Sequence, residues 1–243
     1  MGLFKNIFGR IYALWVLLIF VFTITVTCIP AMIIGLWKEP KRSHLMHEIY
    51  IGWMNLFFFL AGIKRIIRGK EHFKKGENYI VVCNHNSFMD VPLSVTAIPT
   101  ANKTIAKVEM SRIPVFGYIY KRGSVLVDRK SDESRKRSYL QMRKVLDMGL
   151  NMCIYPEGTR NKTKEPLQRF HDGAFRLATE SGKSIIPTVI FDTTKVLPRK
   201  VFYAWPHKVR MDFLHPISPQ GKTTQQLKEE AFAIMKDYYL ANR

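Results

Sequence analysis

The chain has 243 residues, with 38 Lys and Arg against 19 Asp and Glu, which gives a formal net charge of +19. A hydrophobic content of 47% excludes a mainly disordered chain, and the length is ample for a packed core. The charge predicts a negatively charged partner: a nucleic acid, an anionic membrane surface or a phosphorylated substrate. The three cysteines, Cys28, Cys83 and Cys153, lie far apart, which excludes a disulfide scaffold and a zinc ribbon and fits a reducing compartment.

Two apolar blocks occupy the amino-terminal part. Residues 12–37 carry no charged side chain, and this run is long enough to span a bilayer, since about 20 helical residues suffice. Pro30 interrupts it. The second block, 49–63, is rich in aromatic residues but short for a span. We interpret the two blocks as a helical hairpin, a two-helix membrane-embedded motif within an amino-terminal segment 1–70.

Two placements of this hairpin stay open. It lies in one leaflet with both ends on the cytoplasmic side, which we favour, or it crosses the bilayer twice. Basic residues flank both blocks, so the positive-inside rule does not decide. A secretory signal would leave the second apolar block in a secreted protein. Two core helices of a soluble domain are the other alternative, which so long an uncharged run disfavours.

Strands and helices alternate in the rest of the chain, 71–243. This alternation predicts an α/β domain with a largely parallel or mixed sheet flanked by helices. The predicted strands are 78–83, 103–108, 124–127, 152–155, 185–191 and 209–214. The predicted helices begin at about 89 and cover 134–149, 173–181 and 224–240.

Basic residues cluster in two places. Residues 121–144 hold nine Lys and Arg against three acidic residues, and 64–75 follow the hairpin directly. Beside a membrane anchor, such clusters are expected to bind anionic lipid head groups, at about 1 kcal/mol per charge. Nucleic-acid binding is the rival interpretation. No helix-turn-helix, zinc-finger or RNP motif supports it, so we expect no nucleic-acid partner.

The segment 84–90, with the sequence NHNSFMD, follows the predicted strand 78–83. His85 and Asp90 are five residues apart, which separates them on a continuous helix but can bring them together across a strand-to-helix turn. A His held by an Asp through one ring nitrogen is a general base on the other. An ordinary helix cap beside an exposed His explains the same spacing equally well.

The segment 155–160, with the sequence YPEGTR, also follows a predicted strand. A glycine turn offers backbone N–H groups, and the Arg160 guanidinium can bind a phosphate through two oxygens. Taken alone, an ordinary turn with a surface ion pair explains this segment. Because the carboxyl ends of parallel strands share one edge, we expect both segments to lie together where α/β proteins bind ligands.

The pattern His85-x4-Asp90, followed by Glu157-Gly158-Thr159-Arg160, resembles the glycerolipid acyltransferase family, most closely its 1-acyl-glycerol-3-phosphate acyltransferases. The resemblance covers roughly 77–191, and the apolar hairpin resembles the two-helix membrane motif of bacterial members. Two further family motifs match in order: Lys107-Val108-Glu109 with Pro114, Gly117, Gly123 and Arg129, and Ile185-Ile186-Pro187.

The resemblance implies an enzyme that acylates the free hydroxyl of lysophosphatidic acid and yields phosphatidic acid. His85 would be the base and Asp90 its orienting carboxylate. Arg160, helped by Lys107 and Arg129, would hold the acceptor phosphate, and Glu157, Gly158 and Thr159 would shape that pocket. No metal or organic cofactor is implied. His171 beside Asp172 is read as a solvated or packing pair.

Several alternatives stay open after this resemblance. The acyl donor is acyl-CoA or acyl-carrier protein, and the acceptor could be another lysophospholipid or a lyso-aminolipid. A non-catalytic protein that binds anionic membrane lipids is the rival from another class, and the intact His85 and Asp90 disfavour it. The expected location is a membrane with the active site on its cytoplasmic side, the inner membrane in a bacterium.

Overall fold

The computed structural model describes residues 2–243 and places them in an α/β arrangement of seven strands and flanking helices. The helices are α1 (Leu3–Ile34), α2 (Lys41–Leu60), α3 (Asp90–Ala97), α4 (Phe116–Arg122), α5 (Asp132–Asp147), α6 (Gly173–Ser181), α7 (Thr193–Val196) and α8 (Thr224–Asn242). The strands are β1 (Arg65–Arg68), β2 (Ile80–Cys83), β3 (Asn102–Lys107), β4 (Ser124–Val127), β5 (Asn151–Ile154), β6 (Ile185–Phe191) and β7 (Val209–Phe213).

The strands form one sheet in the order β1-β7-β6-β2-β5-β3-β4. The five strands from β6 to β4 are parallel to one another, whereas β7 is antiparallel to β6 and β1 is parallel to β7. The prediction of an α/β fold with a largely parallel or mixed sheet is therefore confirmed. The central strands β2, β5 and β6 are buried throughout, as expected for parallel strands covered on both faces.

Side chains of β2 alternate between two cores, one on each face of the sheet. Val81 and Cys83 belong to the core that α2 and α3 cover. Ile80 and Val82 point the other way, into the core formed with α5, α6 and α8. This two-residue period follows from the pleat of a strand, and it makes the domain a three-layer structure.

The two amino-terminal helices form the predicted hairpin. The Tyr12 hydroxyl on α1 donates to the Ala61 carbonyl at 2.6 Å, next to the end of α2. Farther along, the Trp53 indole on α2 donates to Thr23 Oγ1 at 3.0 Å. Among residues 2–243, α1 is the one helix long and apolar enough to cross a membrane, with a mean hydropathy of 2.6 in its most apolar window.

The two helices differ in what covers them. Along α1, apolar side chains stay exposed on the outer face, including Phe4 at 79%, Phe22 at 65% and Ile29 at 65%. In α2, by contrast, residues such as Phe57 and Phe58 are buried in the core beneath α1. Most aromatic residues of the second apolar block thus pack in the protein core, apart from the exposed Phe59, and α1 carries most of the exposed apolar surface.

Three short elements, β1, α4 and α7, lie where the sequence patterns indicated none. Strand β1 falls within the predicted amino-terminal segment 1–70, yet its four residues pair with β7 and belong to the sheet. Its sequence, RIIR, has only two apolar residues between two arginines. This pattern indicates part of a basic cluster and not a buried strand. Helix α4 has seven residues and α7 has four, too few for a clear helical period.

Candidate active site

The two polar segments meet at one edge of the sheet, as their positions after neighbouring parallel strands predict. The segment that begins at Asn84 follows β2, and the segment that begins at Tyr155 follows β5. The His85 backbone N–H donates to Glu157 Oε1 at 2.9 Å, and the Asn161 N–H donates to the His85 carbonyl at 2.6 Å. Both backbone polar groups of His85 are thus held by the second segment.

His85 and Asp90 form a direct pair, with 2.8 Å between His85 Nδ1 and Asp90 Oδ2. The same carboxylate oxygen accepts the backbone N–H groups of Asn86 at 2.6 Å and Ser87 at 2.7 Å. Asp90 is fully buried at the first turn of α3, where the helix dipole favours a negative charge. With Nδ1 donating to the carboxylate, His85 Nε2 carries the free lone pair, as a general base requires.

The face of the His85 ring rests on Tyr155, with ring centroids 4.4 Å apart. Tyr155 is itself buried, and its hydroxyl lies 2.7 Å from Ser94 Oγ on α3. The imidazole is therefore fixed at its edge by Asp90 and at its face by Tyr155. The His85 side chain remains 17% exposed, enough to reach a substrate from the solvent side.

Asn84 holds the beginning of the segment against β6. Its side-chain amide donates to the Ile190 carbonyl at 2.9 Å, and its Oδ1 accepts the Ile190 N–H at 2.7 Å. The amide thus continues the β2–β6 ladder one residue beyond the strand. The sequence analysis missed this positioning residue, and an Asn directly after a buried strand was the signal for it.

Glu157 is buried and faces inward. Its Oε1 accepts the His85 N–H, and its Oε2 accepts the Gln168 N–H at 3.1 Å. Burial raises the pKa of Glu157 to about 7, with the negative charge of Asp90 acting in the same direction. The carboxylate thus ties two backbone segments together, so Glu157 supports the His85 backbone and presents no free carboxylate to a substrate.

The raised pKa of Glu157 predicts a pH-dependent stability. The folded protein binds more protons than the unfolded chain between pH 4.5, the ordinary value, and about 7, so the free energy of unfolding falls as pH rises through this window. At about 1.4 kcal/mol per pKa unit, the loss is roughly 3 kcal/mol. Urea unfolding at pH 5 and pH 8 should show this loss for the wild type and not for Glu157→Gln. Parallel pH dependences of the two proteins would contradict the assignment.

The three basic residues singled out by sequence lie at the same edge but differ in their contacts. Arg160 places its guanidinium carbon 3.7 Å from the centroid of the exposed Phe88 ring, within the His85 segment. Arg129, which follows β4, donates to the Gly158 carbonyl. Lys107, at the end of β3, pairs with Glu109 at 2.9 Å and is exposed. Arg160 and Arg129 thus adjoin the two segments directly, whereas the Lys107 side chain is paired with Glu109.

Tyr120 on α4 lies near two of these positions, and no sequence pattern predicted it. Burial raises its pKa, while a backbone hydrogen bond from Lys107 and the charge of Arg129 act in the opposite direction. Its hydroxyl therefore lies near the backbone of Lys107 and the charge of Arg129. A tyrosine on the short helix α4 carries no sequence signal for such a role.

Gly158 needs its glycine for two reasons. Its φ of +69° is a conformation that L side chains rarely adopt, and an added Cβ would come within 3.0 Å of the His171 ring. Thr159, next in the chain, is exposed. Asp172 turns away and pairs with Lys228 on α8 at 2.6 Å. His171 and Asp172 thus diverge, and His171 lies beside the glycine turn.

A hydrogen-bonded His–Asp pair with an exposed outer nitrogen, next to a basic sheet edge, fits an enzyme that deprotonates a nucleophile on an anionic substrate. The chain belongs to the Acyltransferase family, whose family model matches residues 64–191. The expected resemblance is confirmed, and the chain is an acyltransferase.

Several similar proteins carry the name of one particular acyltransferase. A 1-acyl-sn-glycerol-3-phosphate acyltransferase of Borreliella burgdorferi is 28% identical over 185 residues, covering 76% of this chain and 73% of the relative. The Helicobacter pylori protein of the same name is 28% identical over 183 residues, covering 75% of this chain and 76% of the relative. The crystal structure of PlsC, the 1-acyl-sn-glycerophosphate acyltransferase of Thermotoga maritima, shares the fold, with a TM-score of 0.83, 22% identity and 98% coverage of both chains.

Proposed function

We propose that this acyltransferase moves an acyl chain from acyl-CoA or acyl-carrier protein to the free sn-2 hydroxyl of 1-acyl-glycerol-3-phosphate, giving phosphatidic acid for phospholipid biosynthesis. The names of the relatives support this acceptor. The observation that carries the proposal is the His85–Asp90 pair at 2.8 Å, whose partly exposed histidine lies at the same edge of the sheet as Arg129 and Arg160.

Proton transfer assigns the roles within the pair. His85 Nε2 takes the proton of the acceptor hydroxyl as the hydroxyl oxygen attacks the thioester carbonyl carbon. Collapse of the tetrahedral intermediate breaks the carbon–sulfur bond, and the imidazolium returns its proton to the leaving thiolate. Asp90 is a positioning residue that stabilises the positive charge on the imidazolium and keeps its ring oriented. Tyr155 and Glu157 support the same geometry from the ring face and the backbone.

The phosphate of the acceptor is the anion that the basic edge would bind. Arg160 lies over Phe88, three residues from His85, so a phosphate at its guanidinium keeps the glycerol hydroxyl near the base. Arg129 and Lys107 add positive charge at the same edge. Gly158 and Thr159 shape the turn beneath Arg160. A planar guanidinium can donate to two phosphate oxygens at once, which suits this role.

The packing of α1 supports attachment to one leaflet. Near its beginning, the Gly9 carbonyl accepts the Ala204 N–H at 3.1 Å, and near its end the Met32 carbonyl accepts the Tyr118 hydroxyl at 3.4 Å. A helix held to the folded domain at both ends lies along it, with its exposed apolar side free to enter a bilayer surface. We further propose that segment 1–70 attaches the chain, that 71–243 form the catalytic domain facing the cytoplasm, and that β1 joins the two.

Membrane attachment through α1 predicts resistance to salt. High salt screens the attraction between basic residues and anionic lipid, but it leaves buried apolar surface in place. Washing membranes with concentrated salt should therefore leave the protein bound, while detergent should release it. Fractions from each wash can be compared by immunoblotting. Release by salt alone would show that the apolar face of α1 is not in lipid.

The direct test of the proposed activity is acyl transfer by the purified protein. Lysophosphatidic acid is supplied with acyl-CoA or with acyl-carrier protein, and phosphatidic acid is detected by mass spectrometry, with His85→Ala as the matched blank. We expect phosphatidic acid from the wild type and only background from the variant. Preferred transfer to another lysophospholipid or to a lyso-aminolipid would show that lysophosphatidic acid is not the preferred acceptor. No transfer to any lysolipid would favour a non-catalytic protein that binds anionic lipid.

A further inference from the structure

The loop between α7 and β7 carries an exposed apolar tip. The tip and the residues packed beside it are residues 199–204, here called the 199–204 loop. Val201 is 84% exposed and Phe202 is 46% exposed, although the loop next to them is firmly packed. Single exposed apolar residues are common on proteins, but two adjacent ones at a loop tip form a compact apolar projection.

This loop is docked on the first turns of α1. Lys200 Nζ donates to Asn6 Oδ1 at 2.9 Å, and the Ala204 N–H donates to the Gly9 carbonyl at 3.1 Å. Tyr203 packs so closely on Gly9 that an added Cβ there would come within 2.1 Å of the tyrosine ring. The tip at Val201 and Phe202 therefore projects beside the beginning of α1.

The neighbouring surface of α1 is apolar as well. Leu3 is 77% exposed, Phe4 is 79% exposed and Ile7 is 51% exposed. The tip thus extends the apolar face of α1 sideways. An occupant that covers the face of α1 would also meet the loop.

The backbone at the tip is strained. Phe202 has a φ of +47°, a left-handed conformation that costs a bulky residue free energy. Strain of this kind persists where the surroundings impose it, and it occurs often at functional segments. Here it accompanies an aromatic side chain that remains substantially exposed.

The charges around the tip favour an anionic surface. Arg199 and Lys200 are exposed directly before it in the chain, and Lys5 is exposed on the adjacent turn of α1. Apolar residues framed by cations match the boundary between acyl chains and anionic head groups. A second copy of this chain is a poorer occupant, because each copy carries a net charge of +19.

The residues that flank the loop reach the candidate active site. Ser87 Oγ donates to the Leu197 carbonyl at 2.9 Å, and the Trp205 N–H donates to the Val196 carbonyl at 2.9 Å. Ser87 in turn donates its backbone N–H to the carboxylate that holds His85. The tip is therefore connected to the catalytic segment through the chain to Leu197 and the two hydrogen bonds that Ser87 donates.

We propose that the 199–204 loop is a second membrane-contacting element, which inserts Val201 and Phe202 into an anionic bilayer beside α1. It sets the height of the catalytic edge above the head groups, because the loop is bound to α1 and Leu197, two residues before the loop, is bound to the segment that carries His85. The inference rests on the proposed attachment through α1, and the experiment separates the two.

The test uses an environment-sensitive fluorophore, nitrobenzoxadiazole, attached to single cysteines. Cys83 and Cys153 are buried, so Cys28→Ser removes the one partly accessible thiol. In that background, Phe202→Cys probes the tip and Phe22→Cys probes the exposed face of α1. Leu240→Cys, 56% exposed on α8, is the matched control outside both surfaces. Vesicles contain phosphatidylcholine and phosphatidylglycerol, with and without nitroxide-labelled lipid as a quencher.

We expect vesicles to raise the emission of the probes at 202 and 22 several-fold and to shift it to the blue, with quenching by the nitroxide lipid. The probe at 240 should not respond. Insertion at 22 with a water-exposed probe at 202 would overturn the loop proposal alone, whereas a water-exposed probe at 22 would overturn attachment through α1. If the probe at 202 is shielded from water in the absence of vesicles, and increasingly so as protein concentration rises, the tip contacts a second copy of the chain. That result would overturn the proposal. Val201→Cys provides an independent probe should Phe202→Cys not fold.

Discussion

Replacing His85 with alanine is expected to lower turnover by roughly 10²–10⁴-fold, the usual contribution of general acid–base catalysis. Binding of the lysolipid should change little, because the imidazole acts on the hydroxyl proton and the phosphate is held elsewhere. Initial rates at saturating acyl donor and acceptor measure the loss of turnover. A fluorescence or calorimetric titration with lysophosphatidic acid measures binding separately.

Two further variants distinguish chemistry from folding. His215→Ala removes an exposed histidine that follows β7 at the opposite edge of the sheet, so it should leave turnover unchanged. Asp90→Asn keeps the side-chain shape but removes the charge that stabilises the imidazolium, so it should also impair turnover. Near-normal turnover of His85→Ala, in a protein that unfolds like the wild type, would rule out His85 as the base.

Arg160 gives the second large expected effect. Its replacement by lysine or alanine should raise the apparent KM for lysophosphatidic acid by roughly ten- to a hundred-fold, because a charge-assisted hydrogen bond contributes about 1.5–3 kcal/mol. Lysine should not restore the affinity, since it offers a point charge where the guanidinium offers two parallel donors. The KM for the acyl donor should hardly move.

The kinetics of Arg160→Lys require each substrate to be varied while the other is saturating. Arg143→Lys, on the exposed side of α5, is the matched control for a general loss of guanidinium groups. Weaker discrimination against a dephosphorylated monoacylglycerol should accompany the rise in acceptor KM. If the donor KM rises instead, Arg160 belongs to the thioester side and the phosphate site must be reassigned.

The edge of the sheet that holds the site was predictable, because its two polar segments each follow a buried strand. Parallel strands place their carboxyl ends together, so His85 and Glu157 had to lie close. The spacing of His85 and Asp90 was compatible with a pair but equally with a cap. The shape of the turn between β2 and α3 determines that the two side chains form a pair. That shape depends on the Asp90 carboxylate, which accepts three N–H donors.

The inward orientation of Glu157 was not predictable from its position in a glycine turn. Its carboxylate lies where two backbone N–H groups from distant segments converge, and only tertiary packing brings Gln168 there. Tyr155 supports His85 through a ring contact, which leaves no trace in residue spacing. Strand β1 escaped detection for a related reason, since its pairing with β7 comes from residues about 140 positions later in the chain.

In the apolar hairpin, too, residue patterns predicted one part, and tertiary packing determined the other. The uncharged run 12–37 predicted most of α1, but the helix begins earlier, at Leu3, and continues through Pro30 to Ile34. The second block has a similar composition, yet Phe57 and Phe58 are buried against the sheet. Composition alone cannot separate a helix that meets lipid from one that meets a protein core, since both surroundings are apolar.

The most direct test of the central claim is a competition among acceptors in one reaction. Purified protein receives an acyl thioester together with equal amounts of lysophosphatidic acid, a lysophospholipid with a larger head group, and monoacylglycerol. Mass spectrometry then measures how the transferred acyl chain is divided among the products. The proposed His85 base and Arg160 phosphate site predict that phosphatidic acid dominates and that its share falls in Arg160→Lys. A product mixture dominated by either other acceptor, or one unchanged in Arg160→Lys, would contradict the account.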